Sequence, residues 1–238
     1  MISWRAAATV AALSLAGLAC SAESTSPDDV PAVSAETTSP QGRAVSIETT
    51  ACGHASSTTG AGVVVANGWV LAAAHVVSGA GQVDVSGDFG TERAEIVVFD
   101  RAGDLALLQV GRASATPVDL GVVTTGDRVH FASVGVSGNT SAVVLRPVEV
   151  RIEGVRSLER ISRFGYELDE RVALGESGGG VFDDDERLVG IIFGRPVADD
   201  ARSFVVNSDE IARVLEAERD GAWICDPSVH QVVPSESR

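Results

Sequence analysis

Short apolar runs separated by Gly, Asp or Pro are the feature that most limits what this chain can fold into. They are rich in Val, Ile and Leu, as in "AGVVVA", "WVLAA", "LALLQV", "LVGIIFG" and "SFVVN". Runs of this length between turn-forming residues are typical of β-strands. The dipeptide Asn67-Gly68 lies between the first two runs and predicts a tight hairpin there.

Helical periodicity is clear in one place, the segment "NSDEIARVLEAE" near the end of the chain. Its apolar residues lie on one face at helical spacing: Ile211, Val214 and Leu215. Asn207 and Glu210 fit a capping box, in which each side chain bonds to the backbone of the other residue. These signals predict a helix over residues 207–219.

Many short strands and one helix predict an all-β fold, and a length of 238 residues suggests two barrels rather than one. The natural seam lies around residues 117–126, between two groups of strands. We therefore expect barrels over about residues 43–120 and 121–206, then the helix, then a tail over residues 228–238.

The first twenty residues have the pattern of an export signal. Arg5 precedes an uncharged run of 14 residues, which is too short to span a bilayer but suits the apolar region of a signal peptide. The run ends in "GLAC" and resembles a bacterial lipoprotein signal, in which Cys20 becomes the lipid-modified first residue of the mature protein. Residues 1–19 would then be the signal peptide. Ordinary cleavage nearby, with a freely secreted product, is the alternative.

Residues 20–42 are rich in Ser, Thr, Pro and acidic residues and contain neither an aromatic nor a basic residue. This composition cannot bury enough apolar surface to fold, so it predicts a disordered acidic tether. The whole chain has a formal net charge of −15, and all 18 basic residues are arginine. Nucleic-acid binding is not expected, because it needs a basic surface. We expect membrane contact only through the lipid anchor at Cys20.

Cys52 and Cys225 bracket nearly the whole predicted domain. In an exported protein such a pair is most simply a disulfide, which would stabilise the fold by about 5 kcal/mol in the chain-entropy model. Two free thiols are the alternative. The sequence has no clustered spacing of Cys and His, so neither a metal site nor a cofactor is expected.

Ser177 lies in the run "GESGGG", where glycines allow positive φ or a close approach to the backbone. A serine presented in this way is a candidate nucleophile if a base and an orienting carboxylate lie elsewhere. His75, at the end of an apolar strand, is a candidate base near neutral pH. Asp104 directly precedes the strand "LALLQV". Each signal alone fits a structural residue, but the three together indicate a catalytic set.

With His75, Asp104 and Ser177 in this order, 29 and 73 residues apart, the chain resembles the trypsin-like serine peptidases of the chymotrypsin fold. "LAAAHVV", "DLALL" and "GESGGG" are similar to the family's histidine, aspartate and serine motifs, and "LVGIIFG" to the strand after the nucleophile. The resemblance implies two six-stranded antiparallel barrels within a peptidase domain over residues 43–227. It also implies protein or peptide substrates, and we expect a monomer.

The resemblance gives each of these residues a role. Ser177 would attack the scissile carbonyl after His75 takes its proton, and Asp104 would hold the imidazole in the required tautomer. The backbone N–H groups of Gly175 and Ser177 would form the oxyanion hole, which stabilises the negative charge that develops on the carbonyl oxygen.

Two positions depart from the family pattern: Glu176 replaces the usual Asp or Asn before the nucleophile, and Gly180 replaces the usual proline. No "IVGG"-like segment lies near residue 50, so activation by a freed N-terminus is not expected, and Glu176 is expected to bond locally. The resemblance places a specificity pocket at Arg171, Phe204 and Val205. Arg171 would select acidic side chains there, unless it points to solvent.

Two other functions fit parts of the sequence. An inactive or dormant trypsin-fold binding protein of the cell envelope would keep the groove without the chemistry, although the intact His-Asp-Ser set speaks against it. A structural lipoprotein would make the spacing of the three residues an accident. An α/β-hydrolase is excluded because its motifs run in the order Ser, Asp, His. The sequence therefore favours an exported serine endopeptidase.

Overall fold

The computed structural model describes residues 39–52, 56–132, 134, 141–153, 160–195 and 201–219. The predicted signal peptide, Cys20, most of the predicted tether, Cys225 and the tail lie outside the described residues. Within this part of the chain, neither helix has the length and apolar character that a membrane crossing requires.

The first half of the domain is a seven-stranded antiparallel sheet with the strand order β5-β4-β1-β2-β3-β7-β6. Short turns join β2 to β3, β4 to β5 and β6 to β7, and the β2–β3 turn has Gly68 at φ 78°, as the Asn67-Gly68 dipeptide predicts. The strands are β1 (Ala44–Ala51), β2 (Ser57–Ala66), β3 (Trp69–Ala73), β4 (Ala80–Gly87), β5 (Gly90–Arg93), β6 (Glu95–Asp100) and β7 (Leu105–Gln109).

The second half is a closed six-stranded barrel with the order β10-β13-β12-β11-β8-β9. Every pairing around it is antiparallel. The strands are β8 (Arg128–Ala132), β9 (Ser141–Glu153), β10 (Arg160–Leu168), β11 (Gly180–Phe182), β12 (Leu188–Gly194) and β13 (Ser203–Asn207).

The predicted all-β fold with a C-terminal helix is confirmed. The strand count of the first half differs from the predicted six. The extra strand is β5, which pairs only along its four residues with the end of β4. It forms because the turn after Gly87 folds the chain straight back on itself, with Gly90 at φ 87°.

Two α-helices accompany the sheets in the part of the chain that the structure describes: α1 (Ala74–Val77) follows β3, and α2 (Ser208–Glu216) follows β13. Sequence periodicity did not predict α1, because one helical turn is too short to show it. At the start of α2, the Asn207 side chain accepts a hydrogen bond from the Glu210 N–H at 3.2 Å. The Glu210 carboxylate pairs with Arg213 instead of completing the capping box. The helix ends three residues before the predicted position 219.

One apolar cluster joins the two halves. Val63, Leu71 and Leu107 of the first sheet pack in the same buried group as Phe182, Leu188, Val206 and Ile211 of the second half. The halves therefore share part of their core, and burial of these side chains fixes how one sheet lies against the other. The active-site candidates lie where the two halves meet.

The ordered domain begins before the predicted position 43. Residues 41–43 form a 3₁₀ turn, and the buried guanidinium of Arg43 donates to the Val64 carbonyl at 3.1 Å and the Thr116 carbonyl at 2.9 Å. Burial lowers the pKa of this guanidinium below its ordinary value, while Glu186 and Asp119 oppose that shift. The last residues of the predicted tether, from Ser39, thus belong to the folded domain.

Candidate active site

His75 and Asp104 lie side by side in the first half. His75 is on the single turn of α1, directly after β3, and Asp104 ends the turn between β6 and β7. The His75 ring Nδ1 lies 2.8 Å from the Asp104 carboxylate, and the His75 backbone N–H donates to the other carboxylate oxygen at 2.9 Å. The Ala74 N–H also donates to the Asp104 carbonyl at 2.9 Å. These three contacts fix the carboxylate against the imidazole.

Burial differs sharply between the two side chains. The His75 side chain is 45% exposed, whereas the Asp104 side chain is only 3% exposed. An imidazole that is open to solvent on one side and held by a buried carboxylate on the other has the arrangement of an oriented general base. The Nδ1 contact leaves the other ring nitrogen, Nε2, for a partner.

The backbone at Asp104 is unusual. It has φ 59°, in the left-handed region that L-residues rarely adopt, although Asp tolerates it better than most. The preceding turn is held by Asp100, whose carboxylate accepts hydrogen bonds from the N–H groups of Ala102 at 2.9 Å and Gly103 at 3.0 Å. This turn is the local reason why the Asp104 carboxylate points back toward α1.

Arg163, which the sequence analysis did not identify, completes the surroundings of Asp104. It lies on β10 of the second half, and its guanidinium donates to the Asp104 carboxylate at 3.2 Å and to the Ala102 carbonyl at 3.1 Å. Its side chain is 14% exposed. No local pattern distinguishes Arg163 from the other arginines, because its role depends on which strand of the barrel meets the β6–β7 turn.

Ser177 lies in the loop between β10 and β11, and backbone contacts bind this loop to the first half. The Ala61 N–H of β2 donates to the Ser177 carbonyl at 2.8 Å. Gly178 has φ 93°, and a Cβ there would lie 2.1 Å from the Ala61 carbonyl oxygen and 3.0 Å from the Ala73 nitrogen. Only glycine fits this close approach. The structure thus brings the Ser177 loop against the end of β3, two residues before His75.

The segment before Ser177 is a turn stabilised by a Glu176 N–H to Ala173 carbonyl bond of 3.3 Å. Its third residue, Gly175, has φ 93°, as a type II turn requires. Among the described residues, no acceptor pairs with the N–H groups of Gly175 and Ser177. These two backbone donors are separated by one intervening residue, and neither has a protein partner in the described structure. Such a pair can bind a developing oxyanion.

The two departures from the family pattern have structural explanations. The Glu176 carboxylate accepts a hydrogen bond from the Ala173 N–H, so it bonds locally, as predicted. This side-chain bond is a second link between the two ends of the turn. Gly180 is the first residue of β11 and pairs with both neighbouring strands. A Cβ at Gly180 would lie 2.8 Å from the Phe182 ring, so the position has no room for a larger residue.

A cavity of about 440 Å³ opens beside the Ser177 loop. The described residues that line it are Phe131, Glu170, Arg171, Ala173, Leu174, Glu176 and Arg195. The predicted pocket residue Arg171 is among them. Phe204 and Val205 lie elsewhere: the Phe204 ring stacks on Phe193, and Val205 is buried in the core of the second barrel.

Cys52 is buried. Its predicted partner, Cys225, lies outside the described residues, so the pairing itself stays a prediction.

Comparisons with known proteins identify relatives of this chain. The sequence profile described as "Trypsin-like peptidase domain" matches residues 60–191, more than half of the chain. The serine proteases MT3772 and Rv3671c, both of Mycobacterium tuberculosis, are each 29% identical over 162 residues, which cover 66% of this chain and 41% of theirs. The chain therefore spans about two fifths of the length of these curated relatives.

Solved structures show the same fold. The active form of the Rv3671c protease from M. tuberculosis matches with a TM-score of 0.70 and 24% identity, over 79% of this chain and 85% of that one. The HtrA-type protease AlgW with a tripeptide matches with a TM-score of 0.60 and 22% identity, over 74% and 59%. These matches confirm the predicted chymotrypsin-like architecture.

Proposed function

The chain belongs to the trypsin-like peptidase family, and on that basis we propose that it is a serine endopeptidase that hydrolyses peptide bonds through an acyl-enzyme intermediate. His75, Asp104 and Ser177 are its proposed catalytic residues. The observation that carries the proposal is the pairing of a half-exposed His75 with a buried Asp104, together with a glycine-rich serine loop that is bound to β2 and closely approaches the end of β3.

In the proposed mechanism, the Ser177 hydroxyl oxygen attacks the scissile carbonyl carbon while its proton passes to His75 Nε2. Asp104 stabilises the imidazolium that forms and holds the ring in one tautomer. The imidazolium then donates this proton to the leaving amine, and the C–N bond breaks. A water molecule, deprotonated by His75, cleaves the resulting ester and restores the Ser177 hydroxyl.

The oxyanion formed in each step would be bound by the N–H groups of Gly175 and Ser177. What supports this assignment is that, in the described structure, both groups lack a protein acceptor and the turn between them holds Gly175 at positive φ. Loss of one such donor typically lowers kcat by about 10²–10³-fold.

We further propose that the enzyme is exported and acts on protein or peptide substrates in the cell envelope as a monomer. The apolar run of residues 6–19 supports export, and "GLAC" supports lipid attachment at Cys20. Arg171, which lines the cavity beside Ser177, is the proposed specificity residue.

Active-site labelling tests the proposal without knowledge of the substrate. The full chain is treated with a fluorophosphonate probe at neutral pH beside Ser177→Ala, and the modified residue is identified by mass spectrometry. We expect covalent labelling at Ser177 that is absent from the variant. A folded protein, with the circular dichroism of a β protein, that takes up no label would instead be the inactive binding protein considered above.

A further inference from the structure

We propose that Arg163 is a positioning residue of the active site: it holds the Asp104 carboxylate and sets the pH range in which His75 acts as a base. The inference rests on the proposed function. It concerns a residue of the second barrel that reaches the carboxylate of the first half.

The contacts of Arg163 are directed at one turn. Its Nε donates to the Ala102 carbonyl at 3.1 Å, and a terminal nitrogen donates to Asp104 Oδ2 at 3.2 Å. The guanidinium therefore fixes both the backbone of the β6–β7 turn and the side chain that ends it. Since a guanidinium is planar and rigid, two contacts to one turn define the position of that turn.

The hydrogen bonds of the Asp104 carboxylate are divided between its two oxygens. Oδ1 accepts the His75 backbone N–H, and Oδ2 faces both His75 Nδ1 and Arg163. A carboxylate that is 3% exposed needs partners for its charge, and Arg163 supplies one that is always protonated. Asp104 thus keeps a charged partner when the imidazole of His75 is neutral.

Arg163 also contacts β12, the second strand after the nucleophile. Its guanidinium lies 5.5 Å from the centre of the Phe193 ring on β12, within the range of a cation–π contact. The preceding residue on β12, Ile192, accepts a hydrogen bond from the Gly178 N–H at 2.8 Å. Arg163 therefore lies between the turn that carries Asp104 and the strand that supports the Ser177 loop.

Other charged groups surround the turn. The carboxylates of Asp100 and Glu210 lie beside Gly103, and Arg213 pairs with Glu210. Of the arginines in the described structure, Arg163 is the one in contact with Asp104. Its positive charge, next to the carboxylate that His75 uses, disfavours a second positive charge on the imidazole. Removing Arg163 should therefore favour the protonated imidazole and raise the pH at which activity appears.

The test compares Arg163→Met and Arg163→Lys with Arg151→Met. Arg151 is an exposed arginine of β9, the strand next to β10, and it pairs with Glu149 of the same strand. The rate of fluorophosphonate labelling is measured against pH, per titrated active site. We expect Arg163→Met to label about 10–100-fold more slowly, the range for a misplaced catalytic group. We also expect the acid limb of its pH–rate profile to move to higher pH. Arg151→Met should match the wild type.

Arg163→Lys keeps the charge and loses the rigid two-contact geometry. We expect it to keep the wild-type acid limb and to recover only part of the labelling rate. Arg163→Gln, which retains polar contacts, takes the place of the Met variant if the latter does not fold. If Arg163 had only a structural role, its replacement by Met would lower the number of active sites. The acid limb of the pH–rate profile would then stay where it is in the wild type.

The His75 ring resonances, assigned by their loss in His75→Gln, give a second readout that does not depend on activity. We expect their NMR titration to move to higher pH in Arg163→Met and to stay in place in Arg151→Met. An unchanged titration and an unchanged labelling profile in Arg163→Met would overturn the inference while leaving the enzyme intact. An unlabelled wild type would instead refute the proposed function, and the NMR titration would still decide the role of Arg163.

Discussion

The two sides of the site are built differently. On the base side, His75 and Asp104 are joined by one bond between side chains and one from the His75 backbone N–H, and the Ala74 N–H adds a third bond to the Asp104 carbonyl. On the nucleophile side, Ser177 lies in a loop of the second half that depends on backbone contacts with β2 and β12. The base side is thus set mainly within one sheet, whereas the serine is placed by the docking of one half on the other.

This difference has a consequence for how substitutions act. Changes on the base side should reduce catalysis and leave the fold in place, because each side chain has several partners nearby. Changes in the glycine contacts on the nucleophile side should disturb folding and catalysis together. Arg163 is the exception, since it belongs to the second half and acts on the base side.

Gly178→Ala should have the largest effect. The added Cβ would lie 2.1 Å from the Ala61 carbonyl oxygen, and φ is 93°. We expect a cost of about 1–2 kcal/mol for the left-handed backbone, and about 1–3 kcal/mol more for overpacking. Thermal unfolding and fluorophosphonate labelling measure it, and we expect labelling to be lost.

Gly126→Ala is the matched control, because Gly126 has φ 95° but no described heavy atom within 4 Å of an added Cβ. It should show only the backbone cost and normal labelling. Equal effects of the two substitutions would mean that contact with β2 does not position Ser177.

Asp104→Asn should have the second largest effect. It should impair the base side of the site and leave the nucleophile side in place. The amide cannot stabilise the imidazolium and favours the wrong tautomer of His75, so we expect kcat to fall by about 10⁴-fold. The fold should persist, because the amide oxygen can still accept the His75 N–H, but the melting temperature should fall, because Arg163 loses its charged partner. Asp100→Asn, in the same turn, keeps its acceptors for Ala102 and Gly103 and should retain nearly full activity.

A full loss of structure in Asp104→Asn would contradict the view that the base side is locally secured. Circular dichroism of the two variants, alongside steady-state kinetics on a peptide substrate, separates the outcomes.

Glu167→Gln should have the smallest effect. It should lower the stability of the fold and leave catalysis unchanged. The buried Glu167 carboxylate on β10 binds Arg202 at 2.8 Å and also pairs with Arg146. The hydrogen bond from Arg202 lowers the pKa of Glu167 below its ordinary value, Arg146 adds to that shift, and burial opposes it. We expect the variant to lose about 1 kcal/mol of unfolding free energy at neutral pH.

The sign of the pH dependence follows from the lowered pKa of Glu167. A carboxylate with a lower pKa in the folded state contributes stability above its unfolded value of about 4.3, and that contribution is lost as the pH falls through the folded-state value. The difference between wild type and Glu167→Gln should therefore disappear in acid. Denaturant titrations at several pH values measure it. Glu149→Gln, at an exposed pair, should match the wild type at every pH.

Much of the fold was readable from the sequence because its signals are local. Apolar runs between turn residues predicted the strands, Asn67-Gly68 predicted the hairpin, and Asn207 predicted the start of the last helix. The β5 strand and the one-turn α1 were missed, since four residues are too few to show a period. The assignment of Phe204 and Val205 to the pocket came from family likeness, whereas the described cavity is lined by residues of the β10–β11 loop together with Phe131 and Arg195.

By itself, the sequence determined which chemical groups the site can contain: a serine among glycines, a histidine after an apolar strand, and an aspartate before one. Their types and their spacing along the chain do not depend on how the chain folds. Only the tertiary structure decided that Gly178 touches β2, that Asp104 is buried beside an exposed His75, and that Arg163 reaches Asp104. These contacts join residues 29 to 117 positions apart. The closure of the second barrel and the core shared by the two halves hold those residues together, and no local pattern encodes that.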